Sequence, residues 1–287
     1  MKQWLAQFWW LLRRATVATY ENGGLGIAKA TAYSALLAFF PLLTSVATVL
    51  VQAKAEAVSH VIAHFLFEVV PPGTQELVLY GFRARGQQPF ALLIVALSVS
   101  LLGASGMTVS LMEGFDAAYH VPQSRSIGRQ RLMAVWLVLL VVLPLLGASL
   151  LVLFGSRTEE IVMRWLGFVG GSEQLRGWVV WIGGLVRYAI ALGASVVVAA
   201  LLYFIGPNRP RKTLRNAWPG AILATFLWFA ATSAFAWYVR NLAGYNVLYG
   251  SIATAIALMV WMYLLALIAL LGCEFNAERE RLHLATR

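Results

Sequence analysis

The sequence has little charge and almost no cysteine. Only 12% of its 287 residues are charged, about half the fraction usual in soluble domains. Its single cysteine, Cys273, excludes an internal disulfide and a cysteine metal cluster. We expect Cys273 to pack as a small apolar residue. The sequence also lacks a glycine-rich phosphate-binding loop, a GxSxG nucleophile turn and an HExxH zinc motif. These absences argue against an ATP-driven pump, a serine hydrolase and a zinc protease.

Six long apolar runs take the place of charge. Each has about 20 or more mostly uncharged residues, enough for a helix to cross a hydrocarbon layer of roughly 30 Å. The runs are continuous rather than alternating, and backbone amides in lipid must bond within their own helix or in a closed barrel. We therefore predict an all-α polytopic membrane bundle that forms a single domain over 1–287. Its predicted spans are 30–51, 89–112, 132–154, 179–205, 218–239 and 250–273.

The basic residues predict the orientation of the bundle. Fourteen of the 22 Lys and Arg residues fall in the segments on one side of the six spans, and seven fall on the other. This asymmetry predicts that both termini are cytoplasmic. The net charge of +10 also favours contact with anionic lipid headgroups. The basic residues are scattered at helix ends rather than gathered on one face, so we expect no nucleic-acid partner.

The segments outside the spans differ in length and pattern. Residues 52–88 and 155–178 have apolar residues at helical spacing, which predicts amphipathic helices on the outer side of the membrane. Residues 1–29 resemble an interfacial helix on the cytoplasmic side, and 274–287 are predicted to form a cytoplasmic tail. No signal-peptide cleavage site is evident near Met1, so we expect the first span to act as an uncleaved insertion signal.

Some residues within the spans have special backbone or packing properties. Pro41 lies in the middle of the first span, where it lacks an N–H and is expected to kink or open the helix. With Tyr33 nearby, it is a candidate for lining a substrate site, although a proline kink without a function is equally ordinary. Small residues predict close helix packing in the second and sixth spans; they are Gly103, Ser105, Gly106 and Ser110, and Gly250, Ala253, Thr254 and Ala257.

Charged and polar residues cluster where spans end. Arg187 lies within the fourth span, where it either reaches outward to the interface or holds an anionic headgroup or a carboxylate. The second span ends in two acids and the sixth in three polar residues, on the same side as the basic loop 208–215. We therefore predict ion pairs among these segments, which either only fix the bundle or also contact substrate. The polar residues are Glu113, Asp116, Glu274, Asn276 and Glu278.

One histidine pattern has a spacing that could suit a metal site. His60, His64 and Glu68 are spaced to share one helical face. Two histidines and a distant carboxylate without a second cluster are more typical of an exposed polar face. We predict no metal site, no cofactor and no enzymatic activity, since neither clustered carboxylates nor a paired histidine and lysine for ribonuclease chemistry can be assembled.

Several strings resemble the YihY/BrkB family of bacterial inner-membrane proteins. The resemblance covers nearly the whole chain and implies six spans and an inner-membrane location. In Glu113-Gly-Phe-Asp116 the sequence departs from the family pattern by two acids, and Cys273 stands where alanine is usual. The matching strings are Ala30-Thr-Ala-Tyr33-Ser-Ala-Leu-Leu-Ala-Phe-Phe-Pro41, Gly206-Pro-Asn208-Arg-Pro-Arg-Lys, Trp218-Pro-Gly220-Ala, Tyr245-Asn246-Val-Leu-Tyr249-Gly250-Ser251, Trp261-Met-Tyr263 and Gly272-Cys-Glu274-Phe-Asn276-Ala-Glu278.

The resemblance implies a role in the cell envelope. Members have carried a ribonuclease label that is regarded as mistaken, one is named for serum resistance, and others are linked to lipid traffic. We therefore expect transport or transfer of phospholipid or another anionic lipid-linked molecule, with a scaffold for envelope proteins as the alternative and a membrane ribonuclease as the least favoured. Candidate substrate-binding residues are Tyr33, Pro41, Arg187, Asn208, Tyr245, Asn246, Tyr249, Glu274 and Asn276. A simple capping turn would also explain Asn246 and Gly250.

Overall fold

A computed structural model describes residues 2–52, 90–122, 125–165, 173–209, 213–241 and 251–285 of the chain. Within these ranges the secondary structure is helical and no strand occurs. The helices are α1 (Lys2–Glu21), α2 (Gly24–Gln52), α3 (Phe90–Ala118), α4 (Ile127–Trp165), α5 (Glu173–Ile205), α6 (Leu214–Asn241) and α7 (Ser251–Ala285).

Six of these helices, α2 to α7, are long and apolar enough to cross a membrane. The predicted all-α bundle of six spans is therefore confirmed, since each apolar run lies within one of them, apart from single residues at two run ends. The candidate spans are Gly24–Leu43, Leu93–Ala118, Ile127–Pro144, Gly183–Ile205, Leu214–Tyr238 and Ala255–Leu284.

Helices that follow one another along the chain pack side by side, and α7 returns to contact both α2 and α3, which closes the bundle. One end of the bundle collects the starts of α2, α4 and α6 and the ends of α3, α5 and α7. Hydrogen bonds from the α1–α2 turn and from the start of α6 to α7 join these ends. We call this the polar end. Helix α1 lies on the last turns of α7, with Phe8 against Phe275.

Three helix boundaries differ from those expected. Residues 1–29 do not form one interfacial helix, because α1 ends at Glu21 and Gly23 adopts a φ of 73° that turns the chain into α2. Residues 274–285 are not a tail, since α7 continues without a break to Ala285. Helix α4 likewise continues to Trp165, so the first part of the predicted outer segment 155–178 belongs to it. Hydropathy ends a span at its first charges, whereas a helix can continue past them, because Glu, Lys and Arg are good helix formers.

The core near the polar end consists largely of alanine. Alanines of α2, α3, α5, α6 and α7 pack around Phe115, Tyr203 and Leu270. Cys273 is fully buried among them, as expected of a small apolar residue. Two large side chains also hydrogen-bond to α7: the Tyr203 hydroxyl donates to the Ala269 carbonyl at 2.8 Å, and Trp228 Nε1 donates to the Leu265 carbonyl at 2.9 Å.

The small face predicted for the second span is a helix contact. A Cβ added to Gly103 would lie 2.9 Å from both Cα and Cβ of Ala38, so α2 and α3 touch through their backbones there. Ser105 is fully buried, and the Ser100 hydroxyl donates to the Ala38 carbonyl at 3.3 Å. Helix α2 continues without interruption through Pro41 in the next turn. In the sixth span, Gly250 and the side chains of Ala253 and Thr254 lie outside the described part of the chain.

We expect Gly103→Ala to destabilise the protein by about 1–3 kcal/mol, because the added methyl group overlaps the backbone of α2. Gly193→Ala is the matched control, since a Cβ on that glycine of α5 meets nothing within 4 Å. The control should be neutral or more stable by up to about 1 kcal/mol, from helix propensity alone. Thermal unfolding of both purified variants in detergent measures the difference. Equal melting temperatures would contradict the close contact.

Candidate functional site

The last turns of α7 carry the most buried polar side chains at the polar end. Glu274, Asn276 and Glu278 are all at most 5% exposed, as is Asp116 at the end of α3. Along α7 each of these three positions is two residues from the next, which is roughly 200° around a helix, so their side chains leave the helix towards different neighbours. Each buried polar group needs a partner, because burying it alone costs several kcal/mol. Their partners define the site.

Asn276 connects α7 to the start of α6. Its Oδ1 accepts from the backbone N–H of Gly220 at 2.7 Å, and its Nδ2 donates to the carbonyl of Ala217 at 3.0 Å. Pro219 stands between these two residues inside α6 and lacks an N–H of its own. The backbones approach closely here, since a Cβ on Gly272 would lie 2.8 Å from the Gly220 carbonyl oxygen. The Asn276 amide therefore hydrogen-bonds to backbone groups on both sides of Pro219 in α6.

Glu274 connects α7 to the turn between α1 and α2. Its Oε1 accepts from Nδ2 of Asn22 at 2.6 Å. Its Oε2 is buried and has no hydrogen-bond partner in the described part of the chain. Glu278, one turn later, forms ion pairs with Arg14 of α1 at 3.5 Å and with Arg281. Ion pairs are thus present at this end, but Glu278 pairs with α1 and with its own helix rather than with the basic loop, as had been expected.

Asp116 holds the chain that follows α5. Its Oδ1 accepts from the backbone N–H of Asn208 at 2.6 Å, so Asn208 enters the site through its backbone. Arg125, after α3, donates to the carbonyl of Gly206 at 2.9 Å and supports the same segment. These contacts fix the position of the next residue, Arg209.

The turn that ends α3 has an unusual conformation at His120. This residue has a φ of 52°, and the Val121 N–H donates to the Asp116 carbonyl while the His120 N–H donates to the Ala117 carbonyl, each at 2.9 Å. This is the Schellman pattern of a helix C-terminus, in which glycine is the usual residue at the left-handed position. Arg281 of α7 adds a bond to the Ala118 carbonyl at 2.6 Å.

Arg209 lies in the centre of these contacts. Its side chain is 7% exposed, its guanidinium lies over the ring of Tyr119 at 4.0 Å, and its Nη1 pairs with Glu280. The loop residue Arg209 therefore pairs with an acid of α7, but with Glu280, which is not among the acids predicted from the sequence. Among the described residues, its Nε and Nη2 are buried without a hydrogen-bond partner. Burial raises the pKa of the Tyr119 phenol, Cys273 adds to this and Arg209 opposes it, so the phenol stays protonated.

A groove opens beside this arginine. It has a volume of about 630 Å³, and α7 forms one wall while the residues after α3 and α5 form the other. The polar lining comes from Arg209, Glu280 and Arg281, and the apolar lining from Val121, Ala277 and Leu284.

Arg131 is a second charged group that sequence reasoning missed. It belongs to the first turns of α4, and its Nη2 donates to the Leu102 carbonyl of α3 at 3.3 Å. A Cβ on Gly106 would lie 3.7 Å from Arg131 Nη1 and 3.6 Å from the Ser34 hydroxyl. Gly106 lies midway along the candidate span Leu93–Ala118. The exposed guanidinium of Arg131 therefore lies against the middle of α3, and it has no acidic partner in the described part of the chain.

The structure separates the predicted substrate-binding residues. Asn208, Glu274 and Asn276 meet at the polar end. Tyr33 is 59% exposed on α2, and Pro41 lies farther along the same helix. Arg187 is partly buried near the middle of α5, at the start of the candidate span Gly183–Ile205, with Nη2 turned back towards Gly184.

Other predicted groups fall outside the described ranges. These are Tyr245, Asn246 and Tyr249, and the histidine pattern of His60, His64 and Glu68. Among the described residues, no group of three or more His, Cys, Asp or Glu side chains could hold a metal ion.

The sequence contains a signal for Arg131 and for Arg209, but not for the contacts that they make. Arg131 directly precedes the third apolar run. The small face of α3 includes Gly106, whose missing side chain leaves a notch that the Arg131 side chain enters. Arg209 was visible as part of the basic loop. The pairing of Tyr119, Arg209 and Glu280 had no local signal, because these residues are up to 161 positions apart and meet only through helix packing.

We expect Asn276→Ala to lower stability by about 2–3 kcal/mol, since it leaves the buried Gly220 N–H and Ala217 carbonyl without their side-chain partner. Ser195→Ala is the control, because that hydroxyl bonds only to the Ala191 carbonyl of its own helix at 3.0 Å. Thermal unfolding in detergent should show a clear loss for the first variant and little change for the second. A similar effect of both would refute the role of Asn276.

His120→Gly should stabilise the protein by up to about 1 kcal/mol, because glycine adopts a positive φ without the steric cost of a Cβ. His120→Val should be destabilising, since a β-branched residue tolerates this conformation least. Denaturant or thermal unfolding in one detergent compares the three proteins. If valine were the most stable of them, the left-handed turn at this position would be disproved.

Comparison with known proteins agrees with this architecture. The family described as Virulence factor BrkB matches residues 18–287. A ribonuclease-like protein, YfkH, of Bacillus subtilis (strain 168) is 33% identical over 186 residues, which are 65% of each chain. A UPF0761 membrane protein of Alkalilimnicola ehrlichii is 29% identical over 251 residues, 87% of this chain and 53% of that protein. A UPF0761 membrane protein of Chromohalobacter salexigens is 27% identical over 286 residues, which are 98% of this chain and 66% of that protein.

The chain spans between 53% and 66% of the length of these relatives. No solved structure matches it. Two of the three relatives are named only as membrane proteins, and the family match covers α2 to α7 completely together with the end of α1. With six apolar helices of spanning length, the chain is a membrane protein that belongs to the Virulence factor BrkB family.

Proposed function

We propose that this protein moves or transfers phospholipid, or another anionic lipid-linked molecule, for the cell envelope, without enzymatic chemistry. The proposal includes a location in the bacterial inner membrane with the polar end facing the cytoplasm, as the distribution of basic residues predicts. The name of the Bacillus subtilis relative refers to ribonucleases, and we do not extend it to this chain.

Arg131 is the observation that carries the proposal. A charged side chain at the centre of a bilayer costs at least about 2.5–3.5 kcal/mol unless it is paired or hydrated. We infer that the Arg131 guanidinium reaches mid-depth, because it lies beside Gly106 and Ser34, against the middle of the candidate span of α3. In the described part of the chain it bonds to a carbonyl and not to a carboxylate. An anionic headgroup that passes along this face would find a positive charge, while its acyl chains stay in the surrounding lipid.

The surface around Arg131 supports this route. Tyr33 of α2 and Leu102 of α3 are more than half exposed on the helices that flank the notch, and Trp136 of α4 follows Arg131 with 67% exposure. Exposed aromatic and aliphatic side chains of this kind suit contact with acyl chains. The route would therefore run along α2, α3 and α4, with the hydroxyls of Ser34 and Tyr33 as additional hydrogen-bonding groups.

A membrane scaffold for envelope proteins is the second candidate. The dense alanine core around Tyr203 and Cys273 favours it, because the interior at this end has side chains packed together where a transport path through the bundle would need space. Transport along the outer face of α3 and α4 does not need such a path, so the core is compatible with both functions. The experiment below separates them.

The test is lipid movement in liposomes that contain fluorescent phosphatidylglycerol and the purified protein. Dithionite bleaches only the outer leaflet, so protein-dependent bleaching beyond that fraction measures movement between leaflets. Arg131→Gln should slow this movement roughly tenfold, as expected for the loss of one charge-assisted hydrogen bond. Arg131→Lys should retain part of the rate, because it keeps the charge.

Arg129→Gln is the matched control. It removes the same charge two positions earlier, from an exposed residue at the start of α4, and should leave the rate unchanged. Fluorescent phosphatidylcholine should depend less on Arg131 than phosphatidylglycerol, because its headgroup has no net charge. If folded protein moved neither lipid, the scaffold would be the better proposal, and crosslinking to envelope proteins would be the next measurement.

A further inference from the structure

We propose that Arg209 is a binding site for a phosphate-bearing anion, and that the carboxylate of Glu280 occupies this site until the anion displaces it. The proposal rests on the proposed lipid transport for its lipid ligand, and a free phosphate ester has the same chemistry. In the lipid case, Arg209 would receive the headgroup at the polar end.

Arg209 has hydrogen-bonding capacity that the protein leaves unused. A guanidinium offers five N–H donors in a planar fork that matches carboxylate and phosphate oxygens. In the described part of the chain only Nη1 has a partner, Glu280, while Nε and Nη2 are buried without one. Unpaired buried donors destabilise this arrangement. A phosphate group, with more acceptor oxygens than one carboxylate contact supplies, would satisfy them.

The position of the guanidinium is fixed in advance. The ring of Tyr119 supports its face at 4.0 Å, and the backbone of the preceding residue, Asn208, is held by Asp116 at 2.6 Å. Arginine over an aromatic ring and bound to an oxyanion is a recurrent recognition geometry. Because these supports do not involve Glu280, Arg209 stays in place when Glu280 leaves.

The groove beside Arg209 has the size and lining that such a ligand needs. Its volume is about 630 Å³, within the range of small-molecule sites. Arg281 contributes a second guanidinium to the lining. Val121, Ala277 and Leu284 form an apolar wall, on which the glycerol and first methylene groups of a lipid would lie.

The Glu280 carboxylate has alternative basic partners in a neighbouring groove. It lines the groove at Arg209 and also a neighbouring groove of about 370 Å³ that contains Arg215, Arg279 and His283. Neither Arg215 nor Arg279 forms an ion pair in the described part of the chain. The Glu280 side chain is 27% exposed, far more than the buried Glu278. Its carboxylate can therefore exchange Arg209 for one of these arginines while an anion takes its position.

The experiment titrates the full chain in a neutral detergent with short-chain phosphatidic acid, with inorganic phosphate and with short-chain diacylglycerol, which has no phosphate. Isothermal titration calorimetry measures each affinity. Glu280→Gln should tighten phosphatidic acid binding roughly tenfold, because it removes the competing charge but keeps the shape of the side chain. Arg209→Gln should weaken it roughly tenfold or more, and Arg209→Lys should give an intermediate value.

Matched controls remove the same charges from exposed positions of α1. Glu21→Gln and Arg13→Gln should leave the affinity unchanged, which excludes an effect of net charge. Binding of both phosphatidic acid and phosphate supports a site for the phosphate group. Binding of the lipid alone identifies a headgroup site, and binding of phosphate alone identifies a site for a free anion.

The proposal is overturned if phosphatidic acid and phosphate both fail to bind, if Arg209→Gln binds as tightly as wild type, or if Glu280→Gln weakens binding. A tighter Glu280→Gln variant cannot result from misfolding, so the decisive result does not depend on the stability of the arginine variants. Binding without lipid movement in liposomes would keep this site and refute the proposed transport. Lipid movement that is unchanged in Arg209→Gln would keep transport and refute a role of this site in it.

Discussion

The burial of polar side chains in the last turns of α7 is the constraint on which the rest of the structure depends. Glu274, Asn276 and Glu278 are removed from solvent, so each must find a donor or a counter-ion on a neighbouring segment. Their partners are the α1–α2 turn, the start of α6 and α1. The same side chains that require partners therefore fix where three other elements lie.

The alanine core makes these contacts geometrically feasible. Between helices in lipid the hydrophobic effect provides no driving force, so close van der Waals packing and interhelical hydrogen bonds hold the bundle together. Small residues on α6 and α7 bring the two backbones near enough for the amide of Asn276 to reach the Gly220 N–H at 2.7 Å. The close contact of Gly103 with Ala38 likewise brings the backbones of α2 and α3 together.

Two arginines, Arg131 and Arg209, differ in their exposure and in their hydrogen-bond partners. Arg209 is buried, lies on an aromatic ring and pairs with Glu280, whereas Arg131 is exposed against the middle of α3 and bonds to a backbone carbonyl. A charge in either setting is costly unless something compensates it. The cost of an exposed charge beside an apolar span is the physical reason to look for an anionic ligand along the face that Arg131 occupies.

The sequence by itself determined the helical class, the number of spans and the clustering of acids and bases at span ends, because the solvent imposes helix length and hydropathy residue by residue. It also identified Glu274, Asn276 and the loop at Asn208 as candidates. Helix ends were placed too early, as at Cys273 in α7, since a helix can continue past the charges at which hydropathy ends a span. Only the tertiary structure decided the partners. Tyr119, Arg209 and Glu280 meet because three helix ends converge, and no local pattern encodes a contact between residues so far apart in the chain.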